Sequence, residues 1–201
     1  MKPREQGNLK IVAIGASADG LGAICRLIEQ LPANLPAAVI VVLHRPSDQP
    51  SLLPEVLARH TRLRMVDAGD GMTPEAGACY IGPPDRNLTY GADGRLHLTA
   101  MIGGSRRGID ALFNSLADHA GSGVAGVVLS GMLDDGTRGL KAIKAAGGSA
   151  FVQDPAEALF RSMPENAIGL DGAIDFIGTA REIGEEIRRK VLPATAAEEK
   201  G

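Results

Sequence analysis

Three short segments of this chain carry the residue types of a nucleophile, a base and an orienting carboxylate. Ser17 lies in Gly15-Ala16-Ser17-Ala18-Asp19-Gly20, His44 in His44-Arg45-Pro46, and Asp135 in Ser130-Gly131-Met132-Leu133-Asp134-Asp135-Gly136. Each segment directly follows an apolar run that reads as a strand. A serine hydroxyl is a weak nucleophile until a base takes its proton, and a histidine suits that task near neutral pH. A carboxylate on the far imidazole nitrogen selects the tautomer and stabilises the imidazolium. Small neighbours expose the Ser17 hydroxyl. Backbone N–H groups in Gly-containing turns can bind an oxyanion, and those of Ala18 and Met132, beside the triad residues, are the candidates. Each residue also has an ordinary role. A serine in a Gly-rich turn before a helix usually caps that helix, a lone histidine is usually structural, and Asp before Gly is usually a turn residue. Their coincidence at three strand ends favours acyl chemistry.

Two binding-module readings compete. Gly15-x-Ser17-x-x-Gly20 after a strand is a degenerate dinucleotide fingerprint. Such a site wants an acidic residue for the ribose at the end of the second strand, and His44 stands there instead. Its middle glycine is missing too. A phosphate-accepting signalling fold would want an acidic cluster directly after the first strand, and Asp19 alone is not one. Cys25 and Cys79 match no CxxC or zinc spacing and read as small buried apolar side chains in a reducing cytoplasm.

The elements that must position these residues alternate between apolar runs and helical patterns, which reads as repeated βα units. Lys10 to Ile14 is the first expected strand. Leu21, Ile24, Cys25, Leu27, Ile28 and Leu31 then recur at helical spacing until Pro32. Ala37 to Leu43 is apolar on both faces, as a central parallel strand is. Leu52 to Leu57 reads as a helix, and Arg64 to Ala68 and Ala78 to Ile81 as short strands. Asn87 to Tyr90 and Arg95 to Thr99 flank Gly91-Ala92-Asp93-Gly94 as a hairpin, an antiparallel excursion within a mainly parallel sheet. Ile109 to Ala117 is a helix and Val124 to Leu129 a buried strand. A helix through Leu140 ends at Gly147-Gly148. Ala150 to Gln153 and Ala173 to Ile177 are strands, and Ala180 to Val191 is the last helix. The expected fold is a doubly wound α/β sheet. One domain over residues 10–192 is flanked by a polar arm, 1–9, and a frayed tail, 193–201. Ligands of such sheets bind beyond the carboxyl ends of the strands, where Ser17, His44 and Asp135 all fall.

Composition excludes several classes. The 201 residues carry 24 acidic and 21 Lys or Arg side chains, a net charge of −3, without the basic excess of a nucleic-acid or anionic-membrane binder. With four Phe, two Tyr and no Trp, a base-stacking platform is poorly supported. No apolar run approaches the length of a membrane span. The start of the chain has no apolar signal-peptide region, so a cytoplasmic protein is expected.

At these residues the sequence resembles the CheB-type protein-glutamate methylesterase catalytic domain of bacterial chemotaxis, from about Lys10 to Val191. IVAIGASADG, residues 11–20, is similar to a strand followed by Gly-Ala-Ser-Thr-Gly-Gly. VVLHRP, 41–46, is similar to a strand ending in His-Met-Pro. CYIGPPDRNL, 79–88, is similar to Tyr-Ile-Ala-Pro-x-x-x-His-Leu. RRGIDALF, 106–113, is similar to Arg-Pro-Ser-Val-Asp-x-Leu-Phe. LSGMLDDGTRGL, 129–140, is similar to Thr-Gly-Met-Gly-x-Asp-Gly-x-x-Gly. VQDPAEALFRSMPENAI, 152–168, is similar to Gln-Asp followed by Gly-Met-Pro-x-x-Ala.

Six blocks in one order are more specific than any single motif. The resemblance implies that Ser17, His44 and Asp135 are the triad, with Asp134 at the variable position beside it. It also implies hydrolysis of glutamate methyl esters on chemoreceptor helices, deamidation of receptor glutamines, and no cofactor. Arg45, Arg106 and Met163 become candidates for the substrate rim. The rim departs from the pattern at Ala18, Asp19, Arg45, Arg107 and Leu133, so a catalytically weak relative acting on another ester, or serving as a binding module, is the alternative. In the family a phosphorylatable receiver usually precedes this domain and covers its active site. The ten or so residues before the first strand are too few to hold one. Activity unaffected by phosphodonors is therefore expected.

Overall fold

The computed structural model describes residues 9–46, 52–101, 107–169 and 174–192. The expected tail, all of the expected arm but Leu9, and Arg106 lie outside these. Seven strands form one sheet in the order β3-β4-β2-β1-β7-β8-β9. They are β1 (Lys10–Ala16), β2 (Ala37–Leu43), β3 (Arg64–Asp67), β4 (Ala78–Ile81), β7 (Val124–Val128), β8 (Ser149–Gln153) and β9 (Phe176–Gly178). Every neighbouring pair is parallel. All seven residues of β2, Ala-Ala-Val-Ile-Val-Val-Leu, are buried, because helices cover both faces of a parallel sheet.

One face packs on α1 (Gly20–Ile28), α2 (Leu53–Ala58) and α6 (Ala180–Val191). The other packs on α3 (Gly108–Ala120), α4 (Thr137–Ala145) and α5 (Ser162–Gly169). Alternate residues of β1 divide between the two cores. Val12, Ile14 and Ala16 face the first, and Ile11 and Ala13 face the second. The chain winds one way from β1 through β2 and the other way from β7, so the topological switch falls between β1 and β7. Ligand crevices of open α/β sheets open at such a point.

Local chemistry explains several boundaries. Helix α6 begins at a capping box: Thr179 accepts from the Glu182 N–H, and Glu182 accepts in return from the Thr179 N–H. Arg188, Arg189 and Lys190 occupy its last turn, opposite in sign to the helix terminus. Helices α1 and α6 meet at Gly184, where a Cβ would fall 2.4 Å from the Leu27 carbonyl oxygen. Gly184→Ala is therefore expected to push the helices apart and destabilise the fold by about 1–3 kcal/mol. Urea denaturation measures this, and an unchanged midpoint would contradict so tight a contact.

Three expectations change. The hairpin of β5 (Arg86–Tyr90) and β6 (Leu96–Ala100) pairs antiparallel as read, but it forms its own two-stranded sheet. Its Leu88 and Leu96 bury against the α3 side of the main sheet, which stays parallel throughout. Strand β1 runs two residues past Ile14, since Gly15 has no side chain to obstruct Ile109. Ser17 is thus the first residue beyond the strand. Helix α5 is not anticipated by periodicity, because only Met163, Pro164 and Ala167 of its eight residues are buried.

Candidate active site

The ends of β2, β1 and β7, three adjacent strands, carry the expected triad residues. Ala16 pairs with Leu43 in the parallel register, so Ser17 and His44 are the next residues on each strand. Strands so paired lie about 4.8 Å apart. The ladder continues past them, with the His44 N–H donating to the Ala16 carbonyl at 3.0 Å. On the other side the Ser17 N–H donates to the Ser130 carbonyl at 3.0 Å, tying the β1 turn to the segment after β7. Ser17 does not cap α1. The N-cap is Asp19, in the left-handed region at φ 57°, and no side chain bonds the helix start.

Asp135 is 3% exposed. Its Oδ2 accepts from the Ile109 N–H at 3.0 Å, and its Oδ1 from the Asp110 and Gly136 N–H groups, each at 2.9 Å. The first two donors are orphan amides of the α3 N-terminus, a natural seat for a carboxylate. These bonds leave Oδ2 directed at His44, whose Nε2 lies 3.0 Å away. The separation is that of an ion pair, yet the ring is not turned for a linear hydrogen bond and its buried Nε2 makes none. The distance is the better guide to pairing, because catalytic hydrogen bonds are often poorly aligned before substrate arrives.

Asp134 points elsewhere. It is half-exposed and pairs with Arg107, whose Nη2 lies 3.2 Å from its Oδ1. That pair raises the guanidinium above its ordinary value. The other Arg107 nitrogen reaches Asp110 at 3.2 Å. Asp110 is buried and accepts the Gly139 N–H at 2.8 Å, so it locks the start of α3 to α4. Burial pushes its carboxyl above the ordinary range. The Asp135 charge adds to the shift, while the Gly139 N–H and Arg107 oppose it.

Asp110, Ser130 and Gln153 were not singled out as site residues in the sequence. The Gln153 side chain accepts from the Ser130 N–H at 2.8 Å and donates to Glu157 at 2.7 Å, bracing the loop beneath the site. The available signal was a polar residue interrupting an apolar run: Asp110 within Ile-Asp-Ala-Leu-Phe and Gln153 closing β8. Buried polar groups of this kind are retained where they are fully hydrogen-bonded.

The backbone N–H groups of Ala18 and Met132 have no protein acceptor among the described residues. The Ser17 N–H is spent on the Ser130 carbonyl and the Gly20 N–H on the Ser17 carbonyl, which counts against a dinucleotide phosphate cradle. Arg45 folds back on the strand ends, donating to the Leu43 carbonyl at 3.2 Å and the Gly82 carbonyl at 2.9 Å. Burial draws its guanidinium below the ordinary value, opposed by Asp67. His44 and Arg45 open onto a cleft of about 390 Å³, shared with Pro83, Asn87 and Met101. A larger cleft of about 1240 Å³ lies at the other end of the sheet, by Pro36 and Phe176, away from all three residues.

Met163 is not where a rim residue would be. It is fully buried beneath Gly131, where a Cβ would fall 2.1 Å from its sulfur and 2.9 Å from the Ser17 Cβ. It supports the floor of the site. Burial pushes the Cys79 thiol up to about 12 and so makes it unreactive. Among the described residues no group of three or more His, Cys, Asp or Glu side chains could hold a metal ion, and no helix is long and apolar enough to cross a membrane.

The sequence and the fold that carry this site are similar to those of a known group of proteins. The profile described as CheB methylesterase matches residues 12–187. The chain is 36% identical over 177 residues to protein-glutamate methylesterase/protein-glutamine glutaminase 2 of Pseudomonas aeruginosa, covering 86% of this chain and 50% of that protein. It is 30% identical over 192 residues to the protein-glutamate methylesterase/protein-glutamine glutaminase of Salmonella typhimurium, covering 93% and 54%. The chain thus spans about half the length of the curated relatives it matches. The crystal structure of the Thermotoga maritima CheB methylesterase catalytic domain superposes with a TM-score of 0.83 at 30% identity, covering 91% of this chain and 99% of that one. The family match and the fold match both extend over nearly the whole chain, which therefore belongs to the CheB methylesterase family.

Proposed function

We propose that this chain is a serine esterase that hydrolyses glutamate γ-methyl esters on a polypeptide, with Ser17 as nucleophile, His44 as base and Asp135 as the orienting carboxylate. The observation that carries the reading is the 3.0 Å approach of His44 Nε2 to Asp135 Oδ2, beside a serine in register with that histidine. Because Nε2 is the ring nitrogen beside the carboxylate, Nδ1 is the one left to receive the Ser17 proton. The Ser17 Oγ adds to the γ-carbonyl carbon, and the oxyanion formed is met by the Ala18 and Met132 N–H groups. Collapse breaks the bond to the methoxy oxygen, which takes the proton from His44 and leaves as methanol. Water then adds to the acyl-serine with His44 again as base, Ser17 recovers its proton, and a glutamate carboxylate is released.

Replacing the ester by a primary amide makes ammonia the leaving group, which is how the same site would deamidate glutamine. The relatives' names give the reaction on protein-bound glutamate and glutamine, and the family resemblance implies that the polypeptide is a chemoreceptor's cytoplasmic helical region. The test is labelling with a fluorophosphonate probe, followed by peptide mass spectrometry, alongside methanol release from a methylated receptor fragment. Modification at Ser17 with loss of methanol release supports the reading, and modification elsewhere or none contradicts it.

A further inference from the structure

The loop carrying Asp135 holds a strained, exposed leucine. Leu133 has φ 67° and is 73% exposed. The left-handed region is unfavourable for a residue that carries a side chain. Exposure returns no burial to offset that cost in the free protein. The position is one where the resembling pattern has glycine. Leu133 also has apolar company. Met132 is exposed beside it, and Leu159 and Phe160 are exposed on the segment that leads into α5. These four are most of the large exposed apolar side chains among the described residues; Leu52, Met72 and Ile177 are the others.

The two segments are stitched together. The Gly131 N–H donates to the Phe160 carbonyl at 3.0 Å, the Leu133 N–H to Ser162 Oγ at 3.1 Å, and Asn166 Nδ2 to the Leu133 carbonyl at 2.7 Å. The result is a braced apolar ledge rather than a loose loop. It starts next to Gly131, which abuts Ser17. This adjacency puts the ledge within reach of a polypeptide that presents a side chain to Ser17. Exposed apolar patches of this kind mark interaction sites, and strain held at an exposed residue is a pointer to function.

We infer that Leu133, with Leu159, is a specificity-determining contact that selects ester-bearing glutamates flanked by apolar side chains on one face of a substrate helix. The inference rests on the esterase reading above and adds to it the substrate's flanking chemistry. Residues three or four positions from the ester share its helix face, one turn away, close enough to meet the ledge while the ester meets Ser17. A leucine moved from water onto apolar surface accounts for tenfold or more in affinity.

The experiment uses two helical peptides with one γ-methyl-glutamate, carrying Leu in one and Ser in the other at the positions three and four residues away. Methanol release gives kcat/KM for each. The unaltered protein is expected to prefer the Leu peptide by about tenfold or more, with the difference in KM. Leu133→Asn, which tolerates the left-handed region, is expected to bring the ratio close to one, and Leu159→Ser to lower it. Should Leu133→Asn fail to fold, Leu133→Gly and Leu159→Ser carry the same comparison. Equal rates on both peptides for the unaltered protein, or a preference untouched by the substitutions, overturns the inference. If the unaltered protein hydrolyses neither peptide, the esterase reading has failed and the ledge falls with it, a pattern distinct from equal hydrolysis of both.

Discussion

Ser17→Ala is expected to lower methanol release by about 10⁶-fold while the thermal transition stays where it is, as loss of the nucleophile does in other serine hydrolases. The side chain lost is small, and the Ser17 contacts that hold the turn are made by its backbone. Its N–H donates to the Ser130 carbonyl, and its carbonyl accepts from the Gly20 N–H. Because α1 is capped at Asp19 and not by the Ser17 hydroxyl, no capping energy is removed. A serine acting only as a structural cap would behave oppositely, costing about 1 kcal/mol of stability and leaving turnover intact. Retained ester hydrolysis in Ser17→Ala would rule out the proposed chemistry at this residue.

Asp135→Asn is expected to cost about 10⁴-fold in turnover, the size of the same change in a serine protease triad. The neighbouring Asp134→Asn is expected to change turnover by no more than a fewfold. The contrast follows from what each carboxylate touches. Both oxygens of Asp135 accept backbone N–H groups, and Oδ2 also faces His44. An amide there must turn its NH₂ toward either the Ile109 N–H or the pair from Asp110 and Gly136, setting donor against donor. Some loss of stability, about 1–3 kcal/mol, should therefore accompany the loss of rate, and denaturation separates the two. Among the described residues the Asp134 side chain makes only an exposed pair with Arg107, worth at most about 1 kcal/mol, and an asparagine oxygen still accepts from that guanidinium. If Asp134→Asn were the damaging change, the carboxylate that serves His44 would be the wrong one of the two.

These contrasts depend on features with unequal visibility in the chain. The βα alternation is legible because β1, β2 and β7 are continuous apolar runs closed by glycine or a polar residue, and the helices between them repeat at helical spacing. The candidate triad is legible for the same reason, since a parallel sheet sends every strand's carboxyl end to one edge. Helix α5 is not legible. It buries few of its residues, and its position depends on the Gly131–Met163 contact, which joins segments some thirty residues apart. Nor does alternation say whether the β5–β6 hairpin extends the main sheet. Pairing partners are chosen by long-range packing, here of Leu88 and Leu96 against the α3 side.

By itself, then, the sequence determined the fold class, the order of the main strands and helices, and the family, because hydrophobic period and short motifs are local properties of the chain. Which aspartate of the Asp134-Asp135 pair faces His44 follows from the sequence only through resemblance. In the structure it follows from the α3 N-terminus, whose free amides at Ile109 and Asp110 claim one carboxylate and leave the other to Arg107. The tertiary structure alone decided that Met163 lies under the site and not on its rim. It also decided that Asp19 and Leu133, two departures from a glycine pattern, both sit at positive φ. Burial and backbone conformation at these places are set by neighbours distant in the chain, and no local pattern of residues encodes them.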